Sequence, residues 1–342
     1  MRKVMLLLIL GLFLTGCSQM QTGNANLFSF VVSSDEGASL QEENIQFNGP
    51  QKGVVLNFRR GTPNDPINGR FGVIVDIANY MDEFVTVKLD LWDSTALTGF
   101  DSIKDAPKDV NPAIYDDQGR FFKPFILTND LGKFEYVGVR DGSESQFFAG
   151  IEYFAHTNAE VTFCVTDIYG ESSNNCPESQ SLSGSKLGES NSRTPVTVRN
   201  VKKTHSGGGG SATLTLDIQI SDVGRGRVVD FFEEGNPNKN IVEFNIIPQD
   251  GISNNFRCSS RDAVDQSGSH DSSAGNLPMQ IQLDKGKSAD ILCTTDVDVD
   301  SALKNVRAKI SLDYKYEYLT QTSTIEVASG VSKARSTWGL VF

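Results

Sequence analysis

Phe71-Gly72-Val73-Ile74-Val75-Asp76-Ile77-Ala78, followed by Val85-Thr86-Val87-Lys88-Leu89-Asp90-Leu91, decides the fold class. Phe71, Val73, Val75 and Ile77 point to one side of an extended chain, and Val85, Val87, Leu89 and Leu91 repeat the pattern. A period of two belongs to half-buried strands, since successive side chains of a strand face opposite ways. No stretch shows a comparable helical period, so the chain reads as all-β. Between the two runs, Asn79-Tyr80-Met81-Asp82-Glu83 supplies the turn chemistry of a hairpin. Further strands are expected at Val54 to Phe58, Phe134 to Val139, Gln146 to Phe154 and Ala159 to Ile168.

The pattern returns later in the chain. A shift of 143 residues, without a gap, lays Phe71 on Leu214, Val73 on Leu216, Val75 on Ile218, Ile77 on Ile220, Val85 on Val228 and Asn79 on Asp222. A repeat of domain size predicts two similar domains instead of a solenoid, whose units run to roughly 20–50 residues. Short alternating strands in units of that size suit β-sandwiches. Both halves are expected to end in a hairpin, Thr162-Phe163-Cys164 leading to Cys176 in one and Ile310-Ser311-Leu312 leading to Ile325-Glu326-Val327 in the other. Residues 177 to 195 hold six serines and two glycines and read as an exposed connector. Ser206-Gly207-Gly208-Gly209-Gly210-Ser211 reads as a hairpin tip, because a phosphate loop needs Lys with Ser or Thr before a helix.

The start of the chain carries an address. Arg2 and Lys3 precede 11 residues, Val4 to Leu14, that no polar side chain interrupts, and Leu14-Thr15-Gly16-Cys17 follows. A charged start, a short apolar segment and a small-residue cleavage site before cysteine describe a lipoprotein signal. The segment is well short of the roughly 20 residues that span a bilayer. Residues 1–16 are expected to be removed and Cys17 to carry a diacylglyceryl group, whose two chains give stable anchoring. Residues 17–48, rich in Gln, Asn, Ser and Glu, read as a tether. The expected location is the extracytoplasmic face of a membrane, at the cell surface or in a periplasm.

Cys164, Cys176, Cys258 and Cys293 remain, an even set in an exported chain. Four cysteines allow three connectivities; sequence neighbours favour Cys164 with Cys176 and Cys258 with Cys293, contributing roughly 3 and 4 kcal/mol in the chain-entropy picture. Zinc is the competing reading, but His156, His205 and His270 fall at no ligand spacing from them. Asp296, Asp298 and Asp300 alternate as oxygen ligands for calcium would, although Ser301 and Arg307 stand where an EF-hand needs Gly and Glu. A solvated acidic edge that deters strand pairing competes with that reading. Asp116-Asp117 with Gly119 reads as a turn.

With 31 basic against 43 acidic residues and no basic run, composition argues against nucleic acid. Arg59-Arg60 and Lys202-Lys203 read as solvated surface. Three scattered histidines and no Gly-x-Ser-x-Gly elbow leave no nucleophilic constellation. Trp92, Tyr314, Tyr316, Tyr318 and Trp338 are expected in a core or on a strand face, with a sugar platform as the sharper alternative.

Gly49-Pro50-Gln51-Lys52-Gly53-Val54-Val55-Leu56-Asn57-Phe58, Pro63 and the Val75–Asn79 run resemble the opening of tandem immunoglobulin-like surface lipoproteins of archaea. Pro195-Val196-Thr197-Val198 and the tyrosine-bearing segment from Asp313 to Val327 are similar to that group's second domain. The resemblance implies two tandem immunoglobulin-like β-sandwiches, at 49–176 and 195–330, joined by a linker at 177–194 and followed by a tail at 331–342. It carries no catalytic residues. The functional expectation is a non-enzymatic adhesion, scaffold or envelope-assembly module with a protein or surface-layer partner and no cofactor beyond the lipid. The alternative is a ligand-binding component of a surface transport or secretion complex.

Overall fold

A computed structural model describes residues 51–328, apart from 64–66, 69, 95–102, 137–141, 167–175, 209, 230–239, 253, 265–276, 286 and 300–303, and the backbone of two short strands before them. The chain forms two units, Met1–Pro50 and Gln51–Phe342. In the first, Phe28–Ser29 pairs antiparallel with Asn44–Ile45. The signal segment, Cys17, His270, Asp300 and the tail with Trp338 lie outside the described residues.

The main strands of the second unit are β1 (Val54–Phe58), β2 (Arg70–Asn79), β3 (Val85–Asp93), β4 (Phe125–Glu135), β5 (Phe147–Val165) and β6 (Ser179–Ser183). After a short helix, α1 (Glu189–Arg193), come β7 (Val196–Gly207), β8 (Ser211–Asp222), β9 (Arg227–Val229), β10 (Ile241–Pro248), β11 (Met279–Gln282), β12 (Ser288–Asp298) and β13 (Lys304–Gln321). Shorter strands are named by their residues. The described unit is all-β in its sheets, which are antiparallel except where Ile325–Ala328 runs parallel to Ile67–Asn68.

Three sheets build the core. One outer sheet has the order β4-β2-β1, and the other runs β6-β7-β8-β12 to Arg257–Ser259. The central sheet runs Ala263–Val264, β11, β10, β13, β5, β3 and Ile103–Lys104, with β9 also on β13 and Lys108–Val110 on β3. At its middle β5 and β13 pair from Phe148↔Gln321 to Val165↔Lys304. Phe147, Ala149, Ile151, Tyr153, Ala155 and their alternates to Val165 are buried, as are Val306, Ala308, Ile310, Leu312, Tyr314 and Tyr316. By register these sets share one face. Tyr153 reaches from it to outer-sheet Val54, and Tyr314 to Val196, so both outer sheets cover the same side. The other side of the central sheet faces solvent.

The expected division into two self-contained sandwiches is not how the strands pair. β5 belongs to the first half and β13 to the second, yet they are direct neighbours along almost their whole length. The 79–83 segment is likewise not a hairpin: β2 pairs with β1 and β4, whereas β3 pairs with β5. The apolar side of each strand must face the other sheet, and the segment carries the chain across. Ile325–Val327 does not return along β13 either, but pairs with Ser143–Ser145. The two strands expected at 146–154 and 159–168 are one, β5, whose alternation continues through Ala155 and Thr157. The expected connector at 177–194 is structured: it holds β6, a short 3-10 turn and α1, with Leu187 and Asn191 buried.

One turn of the repeated stretch recurs at atomic detail. Met81 N donates to Asn79 Oδ1 (2.9 Å), and 143 residues later Gly224 N donates to Asp222 Oδ1 (3.0 Å). Tyr80 N bonds to Gly53 O (3.0 Å) and Val223 N to Pro195 O (2.8 Å). Gly53 sits at φ 71° with the Tyr153 hydroxyl against the place where a Cβ would stand, so a side chain there meets both strain and a clash. Between the repeats lies a tyrosine cluster: Tyr316 donates to buried Asp222 (3.0 Å) and accepts from Gly226 N (3.0 Å), with Tyr153 and Tyr314 in ring contact at 5.9 and 6.3 Å. Burial pushes the hydroxyls of Tyr153, Tyr314 and Tyr316 up and the Asp222 carboxyl up.

Candidate functional site

The cysteines fall as their spacing favoured. Cys164 at the end of β5 is bonded to Cys176, and Cys258 to Cys293 directly across the Arg257–Ser259/β12 pair. Two disulfides belong to an oxidising, extracytoplasmic setting. Asp296 and Asp298 sit on the exposed side of β12; Asp296 Oδ1 accepts from Thr213 Oγ1 (2.9 Å), and the Asp298 carbonyl accepts from Lys304 Nζ (2.5 Å). No group of three or more His, Cys, Asp or Glu suited to a metal occurs among the described residues. Asp116 makes the expected turn, accepting from Gln118 N and Arg120 N. The Gly-rich stretch closes the β7–β8 hairpin, with Gly208 N on Ser211 O (3.0 Å).

One member of each basic pair departs from the solvated surface it reads as, while Arg60 and Lys202 are exposed as expected. Arg59 forks onto Asp76, Nε at 3.2 Å and Nη2 at 2.9 Å, and Asp76 is 1% exposed. Lys203 is fully buried, its Nζ donating to Cys164 O (2.9 Å) and Pro177 O (2.7 Å), and burial pulls its ammonium down to about 8. The signal was present: Val201, Lys203 and His205 continue the inward alternation of β7. Charge alone predicts a solvated lysine here, whereas the inward phase of the strand predicts a buried one.

The solvent side of the central sheet gathers the remaining chemistry, and register gives its layout. One row holds Trp92 and Phe148 beside Gln321; the next holds Asp90, Gly150 and Leu319; then come Lys88, Glu152, Glu317 and Arg227. Farther along β5 stand Phe154 against Lys315 and His156 against Asp313, with Glu243 beyond. Phe154 is 58% exposed, Leu319 49% and Ile247 45%, although they lie on strands at or near the middle of the sheet. Strand-face placement thus holds for Trp92, while Tyr314 and Tyr316 are core.

Charges on this face are mostly paired with one another. Lys315 Nζ lies 2.6 Å from Glu152 Oε1, and Arg227 bonds Glu317. His156 Nδ1 meets Asp313 Oδ1 at 2.5 Å and Nε2 meets Asn158 Oδ1 at 3.0 Å, so both ring nitrogens donate. The Asp313 hydrogen bond raises the His156 pKa, against a smaller opposing effect of burial. That arrangement favours the imidazolium over the neutral ring.

A hollow of about 460 Å³ opens on this face, lined by Lys88, Asp90, Trp92, Gly150, Glu152 and Leu319 among others. Trp92 and Phe148 stack with centroids 5.8 Å apart at 12°. The indole leans across Gly150, where an added Cβ would sit 3.4 Å from two of its ring carbons and 2.7 Å from Leu319 Cδ2.

No protein-family model matches the chain, and no curated protein matches it. Among solved structures it is similar to the C-terminal globular domain of an oligosaccharyltransferase from Pyrococcus abyssi, at 11% identity, over 81% of this chain and 50% of that one, with a TM-score of 0.20. The chain thus spans about half the length of that solved domain, and a likeness at this score carries no conclusion about fold or function.

Proposed function

We propose that this protein is a non-enzymatic, membrane-anchored surface lipoprotein that serves as an adhesion, scaffold or envelope-assembly module, with immunoglobulin-like halves joined through the central sheet. The solvent side of β5 and β13 is its binding face. One observation carries this reading: a long central strand pair, buried on one side beneath both outer sheets, presents Phe154 and Leu319 to water on the other. Exposed apolar side chains gathered on one rigid sheet face mark sites where a partner docks. The lipid at Cys17 rests on the signal in residues 1–17, and the two disulfides support export.

Photo-crosslinking on intact cells from a probe at position 154 tests the reading. A discrete captured neighbour that Leu319→Asp abolishes is expected; no capture, together with hydrolytic turnover by the purified chain, overturns it. Labelled fatty acid should enter the wild type and not Cys17→Ser. The hollow at Trp92 favours a second reading, a ligand-binding component of a surface transport or secretion complex.

A further inference from the structure

We infer that the hollow over Gly150 is a binding site for a neutral carbohydrate chain. This deepens the ligand-binding reading and rests on it. Its volume, about 460 Å³, falls within the roughly 300–1,000 Å³ of small-molecule sites. Three features of its construction select the ligand.

The first is the platform. Trp92 and Leu319 meet over Gly150 in the hollow, Phe148 stacks on the indole beside it, and this apolar strip exists because position 150 has no side chain. A Cβ at 150 would press on Leu319 and crowd the indole. A pyranose ring presents just such a complement, a flat face of C–H bonds that lies against an aromatic ring.

The second is the border. Beside the strip stand Lys88, Glu152, Lys315 and Glu317, with Asp90 next to Gly150. A sugar hydroxyl is at once donor and acceptor, so a rim offering ammonium protons and carboxylate lone pairs within one hollow meets it in both roles.

The third is the balance of charge. Glu152 is answered by Lys315, Glu317 by Arg227 and Asp105 by Lys108, and Lys88 and Asp90 add one charge of each sign, so the rim presents no excess of either sign. A sulfated or phosphorylated ligand would face the carboxylates, and a polycation would compete with ammonium and guanidinium groups already in place. A neutral ligand disturbs none of these pairs and uses their spare hydrogen-bonding capacity.

The chain has two tryptophans, so Trp338→Phe leaves Trp92 as the single indole reporter. In that full-length background, Trp92 fluorescence is followed while maltotriose, mannotriose and galactotriose are added, with a sulfated trisaccharide and tetralysine as charged comparisons. At least one neutral trisaccharide is expected to give a saturable change, and the charged probes none. Gly150→Val should weaken binding at least tenfold, and Ile247→Ala, farther along the same face, should leave it unchanged. Isothermal titration reads Trp92→Ala, also expected at least tenfold weaker, and circular dichroism confirms that each variant folds. Silence from all three neutral sugars, tetralysine binding in their place, or sugar binding indifferent to Gly150→Val overturns the proposal. If sugars fail while cross-linking from position 154 still captures its partner, the binding-face reading stands and this one alone falls.

Discussion

Tyr153 and Tyr314 perform the same task in the two halves of the molecule: each hydroxyl accepts a hydrogen bond from the first residue of an outer-sheet strand, Val54 N at 3.0 Å and Val196 N at 3.2 Å. Each thereby ties an outer sheet to the shared central one. Both tyrosines are buried, so each satisfies a main-chain donor that water does not reach.

Tyr153→Phe and Tyr314→Phe should each lower stability by about 1–3 kcal/mol, the cost of an unpaired buried N–H. Urea denaturation of the two single variants measures it. A variant as stable as the wild type would show that its tyrosine is not such a tie.

Arg59 and Asp76 make a stronger claim on the first outer sheet. Removing the guanidinium leaves a carboxylate that is 1% exposed without its cation, and Arg59→Met should cost roughly 3–5 kcal/mol. Pairing it with Asp76→Leu removes both the charge and its need, so the double variant should recover most of the loss. Thermal melts of the three chains decide between this and a dispensable surface pair.

His156 should titrate above its ordinary 6.5, because Asp313 holds the imidazolium. A raised folded-state pKa adds stability that is complete below about 6.5 and is lost as pH rises through the folded value. The effect is modest because both side chains are partly exposed, at 34% and 40%. NMR titration of the ring proton should show the value fall in Asp313→Asn; an unmoved titration would remove Asp313 as the cause.

Lys203 gives the opposite slope. Its pKa falls from 10.5 to about 8, so between those values the unfolded chain binds more protons and stability rises with pH. The wild type should gain on the order of 1–2 kcal/mol over Lys203→Met between pH 7.5 and 9.5. The neutral amine retains protons enough for both carbonyls. Urea midpoints at the two pH values measure the gain, and parallel curves would contradict it.

The strands were legible because alternation is local. Val54 to Phe58, the Phe71–Ile77 and Leu214–Ile220 runs and the cysteine pairs follow from residue type and spacing alone, and the shift that laid Asn79 on Asp222 marks a shared turn. Arg59 and Lys203 depart from the surface that their charge predicts because position outweighs charge, and Lys203 keeps the inward phase of its strand.

By itself, then, the sequence determined which residues share a face, favoured the two disulfides that form and carried a strand-and-turn pattern that recurs 143 residues on. Only the tertiary structure decided which strands are neighbours. A period of two is the same whether a strand turns back on its predecessor or crosses to the opposite sheet, and pairing is settled by which arrangement buries both apolar faces. Hence Asn79–Glu83 crosses between layers, β5 and β13 fuse the halves, and Trp92, Gly150 and Leu319, which come from three strands far apart in the chain, meet on the open side of the sheet.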